Sequence, residues 1–255
     1  MTAIRAFRSR LARTRIATRA KEPFYASLQP EQMIARKDAS VNRGSGVPQP
    51  ARTSAFVAQR FQKRYLDFAG AGVLIIVLMP LLVLISVLVL IDDGLPIIFR
   101  RRVVGQNGEF AAFKFRSMKR DAEALLARDP SLKAKFEQNF KLENDPRLTW
   151  SGSYLRKLSL DELPQLFNVL KGQMSLVGPR MISPAELEKY GSHKELLLTV
   201  KPGLTGYWQV NGRQAVGYEE RVRMDLHYIN NWSLALDLKI LLKTPYAVLK
   251  REGAY

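Results

Sequence analysis

The sequence predicts a helix-dominated α+β protein of monotopic type, held on a membrane by a shallow apolar segment. Three observations predict it. Between Asp67 and Asp92 lie 24 residues without a charge, FAGAGVLIIVLMPLLVLISVLVLI, and about 20 apolar residues cover the ~30 Å hydrocarbon core. Pro80 interrupts that run, with Arg60, Lys63 and Arg64 before it and Arg100, Arg101 and Arg102 after it. Beyond the run, two strand-like patterns are followed almost entirely by helical ones.

The flanking charges bear on topology. Cytoplasmic flanks carry the Lys/Arg excess, so a straight span would leave one basic cluster on the wrong side. A helix broken at Pro80, dipping in and returning to the same face, satisfies both clusters. Pro80 removes a backbone donor and clashes with the carbonyl of Ile76, which bends a helix. A tilted span with a kink is the alternative, since spanning helices tolerate proline.

Three regions follow from composition. Residues 1–55 form a basic extension, read as disordered or lying on the membrane surface. Residues 56–95 form the re-entrant hairpin, and residues 96–255 the soluble part, long enough for one sizeable core, which the resemblance given below makes a cytoplasmic catalytic domain. The net charge is +17, and residues 1–60 hold 12 Lys/Arg against 3 Asp/Glu. Beside an apolar anchor such a balance fits anionic lipid, at about 1 kcal/mol per basic residue near the surface. Nucleic acid is the other natural partner for it. Binding of that kind interleaves basic with stacking aromatic residues, and Phe7, Phe24 and Tyr25 are too sparse. MTAIRAFRSRLARTRIATRA suits a basic amphipathic surface helix, and DASVNRGSGVPQPARTS a linker. Cysteine is absent, which excludes disulfides and thiolate metal sites.

In order along the soluble part, GLPIIFRRRVV and EFAAFKF read as strands around the turn at 105–108. SMKRDAEALLARD is helical and stops before Pro130, and SLKAKFEQNFKL is helical again. LENDPRLTWSGSYLRK is polar and turn-rich. A helix is expected from Ser159 to about Lys171, with Gly172 as its stop. MISPAELEKYG and GSHKELLLTV give two short helices, and KPGLTGYWQVNGR a loop or short strand. VGYEERVRMDLHYINNW and SLALDLKILLKTPYAVLKREG close the chain as helices. The last mixes Lys with dense Leu, as an amphipathic interfacial helix does.

The chemistry concentrates in LRKLSLDELPQLFNVLKGQMSLVGPR, residues 155–180. At its centre stands the pair Asp161–Glu162. Ser159 with Glu162 fits a capping box, a purely structural role for the acid. A catalytic role uses the same local geometry. A helix start presents N–H groups to an anion, and Arg156 and Arg180 add forked donors for phosphate. A carboxylate there can attack phosphorus, and its neighbour can hold Mg²⁺. In KFRSM, strand alternation puts Lys114 and Arg116 on one side and Phe113 and Phe115 on the other. That signal alone also fits a solvated strand face.

FKFRSM, SLDELPQLFNVLKGQMSLVGPR, KPGLTGYWQVNGR and DLHYINNWSLALDLKILLKT, in this order and spacing, resemble the bacterial sugar transferase family. These are monotopic polyprenyl-phosphate phosphoglycosyl transferases. The similarity covers roughly residues 60–250 and is greatest to exopolysaccharide initiators moving galactose- or glucose-1-phosphate. The resemblance implies that Asp161 is the nucleophile and that Glu162 supports Mg²⁺ and catalysis. It implies that Arg156 holds substrate phosphate, that Gly178, Pro179 and Arg180 lie by the nucleotide, and that Lys114 and Arg116 stand near the active centre. Lys63, Arg64, Asp67 and Pro80 match the start and break of the family's membrane helix. Met181 departs from the pattern, replacing the family's usual proline, and leaves the turn after Arg180 less rigid.

The activity so implied is transfer of a hexose-1-phosphate from a UDP-hexose to undecaprenyl phosphate, on the cytoplasmic face of a bacterial inner membrane. It is a first step of exopolysaccharide, capsule or O-antigen synthesis. Mg²⁺ is the implied cofactor. Membrane lipids, later glycosyltransferases of the pathway and a second copy of the chain are the implied partners. The alternatives are a catalytically silent membrane scaffold, against which the intact Asp161, Glu162, Arg156 and Arg180 argue, and a membrane-anchored nucleic-acid binder.

Overall fold

A computed structural model describes residues 54–139, 142, 145–212 and 217–249. The expectations for the basic extension lie outside these residues, except that Ser54 and Ala55 already begin the first helix. Helix α1 (Ser54–Asp93) is 40 residues long and contains Pro80. By length and composition it is apolar enough to cross a membrane. The backbone stays helical through the proline.

Continuity has a visible cause. Asp67, Ala71, Ile75, Leu82, Ile85 and Val89 are buried, with Leu78 partly covered between them. Each is three or four residues from the next, one stripe of a helix. It stays in register through Pro80 and packs along its length on the rest of the chain. Ala71 and Ile75 join a core with Val103, Leu166, Val169 and Met174. Leu82, Ile85 and Val89 join Phe115 and Leu155. From Phe68 onward the opposite face, including Ile76, Val77, Leu84 and Ile91, is exposed and apolar. Apolar patches of that extent mark a lipid or partner surface.

Both ends of α1 are fastened by polar groups to the folded domain. Lys63 Nζ donates to Asp237 Oδ2 at 2.6 Å and to the Val177 carbonyl. Arg64 donates to the carbonyls of Val169 and Leu170. Asp67 accepts from the Ser175 hydroxyl and the Leu176 N–H. At the far end Asp92 accepts from the Ser151 N–H and hydroxyl.

Strands β1 (Ile98–Gly105) and β2 (Gly108–Phe115) pair antiparallel, Ile98 opposite Phe115, with Gly108 at φ 95° closing the tight turn. This is the expected hairpin. Helices α2 (Ala122–Arg128) and α3 (Pro130–Asn139) follow, with Pro130 opening a helix where its missing N–H costs nothing. The polar stretch read as turns holds a further helix, α4 (Trp150–Lys157), capped by the Thr149 side chain accepting from Gly152 N–H. Its outward side carries Trp150 and Tyr154, both exposed.

The helix expected from Ser159 to Lys171 is corrected. A 3₁₀ turn spans Leu160–Glu162, and α5 runs Gln165–Leu170. Ser159 is left-handed (φ 55°) and its side chain makes no cap hydrogen bond. Its N–H closes back on the Arg156 carbonyl, so it ends α4 rather than starting the next helix. The capping-box role falls with it. Gly172 does stop α5, at φ 79°.

Beyond it, β3 (Ser175–Val177) pairs parallel with β4 (Gly203–Thr205). Between them lie α6 (Pro184–Leu187), a 3₁₀ turn and α7 (Lys194–Leu198). The GYWQVNG loop carries a short helix, α8 (Tyr207–Asn211). Helices α9 (Tyr218–Asn230) and α10 (Leu234–Leu249) complete the fold as expected. Leu238, Leu242, Tyr246 and Leu249 of α10 are exposed along one side, the apolar face of an interfacial helix.

Candidate active site

Asn168 of α5 sets the site. Its Oδ1 accepts from the Phe113 N–H and its Nδ2 donates to the Ala111 carbonyl. The side chain is fully buried, so α5 and the turn before it are held against β2. The next residue of β2, Lys114, is thereby brought onto the acidic pair. Its Nζ lies 2.6 Å from Glu162 Oε1 and 3.8 Å from Asp161 Oδ2.

The two carboxylates differ. Asp161 is buried, its side chain 7% exposed, while that of Glu162 is 28% exposed. Burial pushes the Asp161 carboxyl above the ordinary aspartate value, and the Glu162 charge adds to this against Lys114 and Arg156. For Glu162, burial is outweighed by the Lys114 ammonium, with Arg180 and Arg101 behind it, and its carboxyl lies below the ordinary glutamate value. Two adjacent acids are thus driven apart, one a tightly paired anion and the other a poorly solvated, loosely paired group.

Arg156 stands where α4 ends. Burial pulls its guanidinium below the ordinary value, opposed by Asp161 and Asp145, and its Nε donates to the Ser117 hydroxyl at 3.0 Å. Asp145 and Arg147 form a buried two-pronged ion pair behind it, a brace the sequence reading passed over as turn. The D-x-R spacing in NDPRLT was its only trace. Arg180 follows β3, and its Cζ lies 5.3 Å from the Trp208 ring centroid.

Other expected site residues make contacts within the fold. Arg116 lies just past β2, and its Nη2 donates to the carbonyls of Asp93 and Gly94, with Asp93 Oδ2 at 2.9 Å. It is buried and closes the end of α1. Lys114 and Arg116 therefore act at different places. Replacing Arg116 with Met leaves Asp93 without its buried cation, and about 3 kcal/mol of stability should be lost. Thermal unfolding in detergent measures it, and an unchanged midpoint would contradict the closing role. Gly178 and Pro179 are buried in the β3–β4 junction, where Gly178 N–H donates to the Thr205 carbonyl and the Pro179 carbonyl accepts from Gly203. Met181 fills the main core, a hydrophobic use for the position that departs from the pattern.

A second polar cluster was not anticipated. A small cleft, with room for about one water, is lined by Arg180, Glu186, Tyr190, Tyr218, Arg221 and Asp225 among others. Asp225 accepts from the Tyr190 hydroxyl at 2.9 Å. Burial pushes its carboxyl up to about 7, against the Tyr190 bond and the Arg180 backbone and guanidinium. A raised native pKa means that the folded state holds a proton that the unfolded chain has released. Stability from this group is full below the ordinary aspartate value and falls as pH rises towards 7. Asp225→Asn should flatten that fall, which is at most about 4 kcal/mol. Urea unfolding at pH 4.5 and 7.5 checks it.

Among the described residues no group of three or more acids or histidines could hold a metal. Mg²⁺ does not require one, since it binds through one or two carboxylates with substrate phosphates completing the shell. Glu162, partly exposed and held ionised, suits that donor set.

A carboxylate pair braced by lysine and flanked by arginines, carried beside an apolar helix, is the kind of centre that handles phosphate at a membrane. The chain belongs to the bacterial sugar transferase family, whose profile matches residues 58–251. It is 48% identical over 202 residues to a UDP-galactose-lipid carrier transferase of Erwinia amylovora, covering 78% of this chain and 42% of that protein. It is 45% identical over 198 residues to the exopolysaccharide production protein ExoY of Sinorhizobium fredii, covering 76% of this chain and 88% of that protein. To an undecaprenyl-phosphate glucose phosphotransferase of Komagataeibacter xylinus it is 38% identical over 208 residues, covering 75% and 36%. The chain thus spans about two-fifths of the first of these and most of the second.

Proposed function

We propose that the chain transfers a hexose-1-phosphate, galactose or glucose, from a UDP-sugar to undecaprenyl phosphate in two steps. The observation that carries this reading is the asymmetry of the acid pair. Glu162 is bound to Lys114 at 2.6 Å, whereas Asp161 is buried and 3.8 Å from the same ammonium. A carboxylate stripped of water and loosely paired is the more reactive oxygen nucleophile. In step one an Asp161 oxygen attacks the β-phosphorus, the bond to the oxygen bridging the phosphates breaks, and UMP leaves with that oxygen. In step two an oxygen of the lipid phosphate attacks the aspartyl-bound phosphorus. The aspartyl bond breaks, the carboxylate is restored and the product is a polyprenyl-diphosphate sugar. Arg156 and Lys114 balance charge at the reacting phosphate, and Arg180 that of the donor. Glu162 would hold Mg²⁺, which supplies screening of the diphosphate when bound.

The reading also takes α1 as re-entrant, with its ends and the acid pair on the cytoplasmic face. A straight helix would separate Arg64 from Asp93 by about 44 Å. The route between them runs from Arg64 to Val169, Asn168 to Phe113, then along the chain to Arg116 and on to Asp93. It reaches that span only if nearly every link is extended and in line, which favours a bend, for which Pro80 is the natural place. UDP-sugar and lipid phosphate then meet at headgroup depth. Recruitment of later glycosyltransferases and self-association belong to the same reading. The test is purified protein with undecaprenyl phosphate, Mg²⁺ and a panel of UDP-sugars, scored by UMP release. Release with UDP-galactose or UDP-glucose is expected. A silent panel with intact membrane binding would favour the scaffold.

A further inference from the structure

We propose that the outward side of α4 seats the polyprenyl chain of the acceptor, and that Trp150 and Tyr154 hold that chain where it approaches the acid pair. This rests on the two-step reading above. Trp150 and Tyr154 are 66% and 55% exposed, and their rings meet edge to face with centroids 5.5 Å apart. Lys157, also exposed, stands three residues further on. Positions 150, 154 and 157 share one side of a helix, so the stripe runs aromatic, aromatic, cation over about 10 Å. An exposed aromatic pair beside a cation marks a surface that binds something.

The two ends of α4 decide the occupant. At its start Ser151 donates to Asp92 through both N–H and hydroxyl, and Ile91, next to Asp92 on α1, is 79% exposed. The stripe thus begins beside the apolar face that α1 turns outward. At the other end the chain passes from Lys157 through Ser159 into the 3₁₀ turn that carries Asp161, and the charges of Arg156 and Asp161 act on one another. The inner side of α4 is fixed: a Cβ on Gly152 would stand 2.0 Å from the Ser117 carbonyl oxygen, so the helix lies backbone to backbone on the segment after β2. The acceptor has the same order of chemistry as this stripe. Its phosphate must reach the aspartyl-bound phosphorus, while its apolar chain must leave towards the bilayer. An ordinary phospholipid has no reason to bring its phosphate to Asp161, which favours the acceptor as occupant. Trp and Tyr suit the crossing, since their rings are apolar with one polar tip.

The experiment places the full chain in phosphatidylcholine nanodiscs with a trace of undecaprenyl phosphate brominated along its chain, and reads tryptophan emission. Bromine quenches on contact. Trp208 is 4% exposed and Trp232 partly buried, so the quenched signal is that of Trp150. Quenching by the brominated acceptor, but not by brominated phospholipid at the same mole fraction, is expected, and Trp150→Ala should remove it. Equal quenching by both lipids overturns the seat in favour of ordinary bilayer contact. Kinetics give the second readout. Covering about half of an aromatic side chain with an apolar chain is worth about tenfold, so Trp150→Ala and Tyr154→Ala should each raise KM for undecaprenyl phosphate about tenfold. The acceptor-free burst of UMP should stay within about twofold, since it precedes the step that uses the chain. Trp150→Phe should restore most of the loss. An unchanged acceptor KM, or a burst that falls as far as acceptor affinity does, overturns the proposal. A wild type with no burst from any UDP-hexose but with acceptor-specific quenching defeats the two-step reading and supports the seat, whereas a normal burst with insensitive variants defeats only the seat.

Discussion

Asp161→Asn abolishes UMP release from a UDP-hexose even without lipid acceptor, a fall of about a thousandfold or more. The amide keeps the size and much of the hydrogen bonding of the side chain but has no anionic oxygen to bond to phosphorus. The measurement is the burst of UMP in detergent, and substantial release by the variant would sink the nucleophile assignment. The same assay has a signed pH dependence. Attack needs ionised Asp161, so the rate rises with pH through a native pKa that burial and Glu162 hold above the ordinary value. Glu162→Gln removes the repelling charge, and the acid limb should move to lower pH. A limb moving to higher pH would mean that Glu162 acts on Asp161 through something other than its charge.

Gly178→Ala should cost the fold more than it costs substrate affinity. A Cβ on Gly178 would stand 2.5 Å from the Lys201 carbonyl oxygen and 2.7 Å from the Gly203 nitrogen. On Gly203 it would stand 2.1 Å from the Gly178 nitrogen. These are backbone atoms of the facing segment, with no side chain to swing aside, so the β3–β4 junction must open. Overpacking of this kind costs about 3 kcal/mol or more, and Gly203→Ala should be worse. Thermal unfolding of detergent-solubilised protein distinguishes the two roles. A Gly178→Ala variant that melts as wild type does, with only KM raised, would return Gly178 to the substrate.

The legible parts of the fold were those governed by local physics. The charge-free run, the Gly108 hairpin, the helix stop at Gly172 and the two C-terminal helices follow from hydrophobic period and turn chemistry. Helix α4 was not legible, because Trp150 and Tyr154 face outward and its polar sequence gives no inward stripe. The Ser159–Glu162 capping pattern misled for a related reason. The same spacing serves a helix start or a left-handed helix end, and only the preceding helix decides. The pair Lys114 and Arg116 showed the limit of alternation, since the strand ends at Phe115 and beyond it side-chain direction is set by the neighbouring helix end.

The sequence by itself determined that the chain carries an apolar anchor, an Asp161–Glu162 pair amid arginines, and the motifs of its family. Composition and spacing are local properties, and they survive without coordinates. Tertiary structure decided that α1 presents one buried stripe through Pro80, that Lys114 rather than Arg116 reaches the acids, and that Gly178 packs backbone to backbone against Gly203. It also decided that Asp225, 64 residues beyond Asp161, shares a cleft with Arg180. The physical reason is common to all four. Burial and charge pairing depend on what long-range packing places opposite a side chain, and no window of sequence contains the partner.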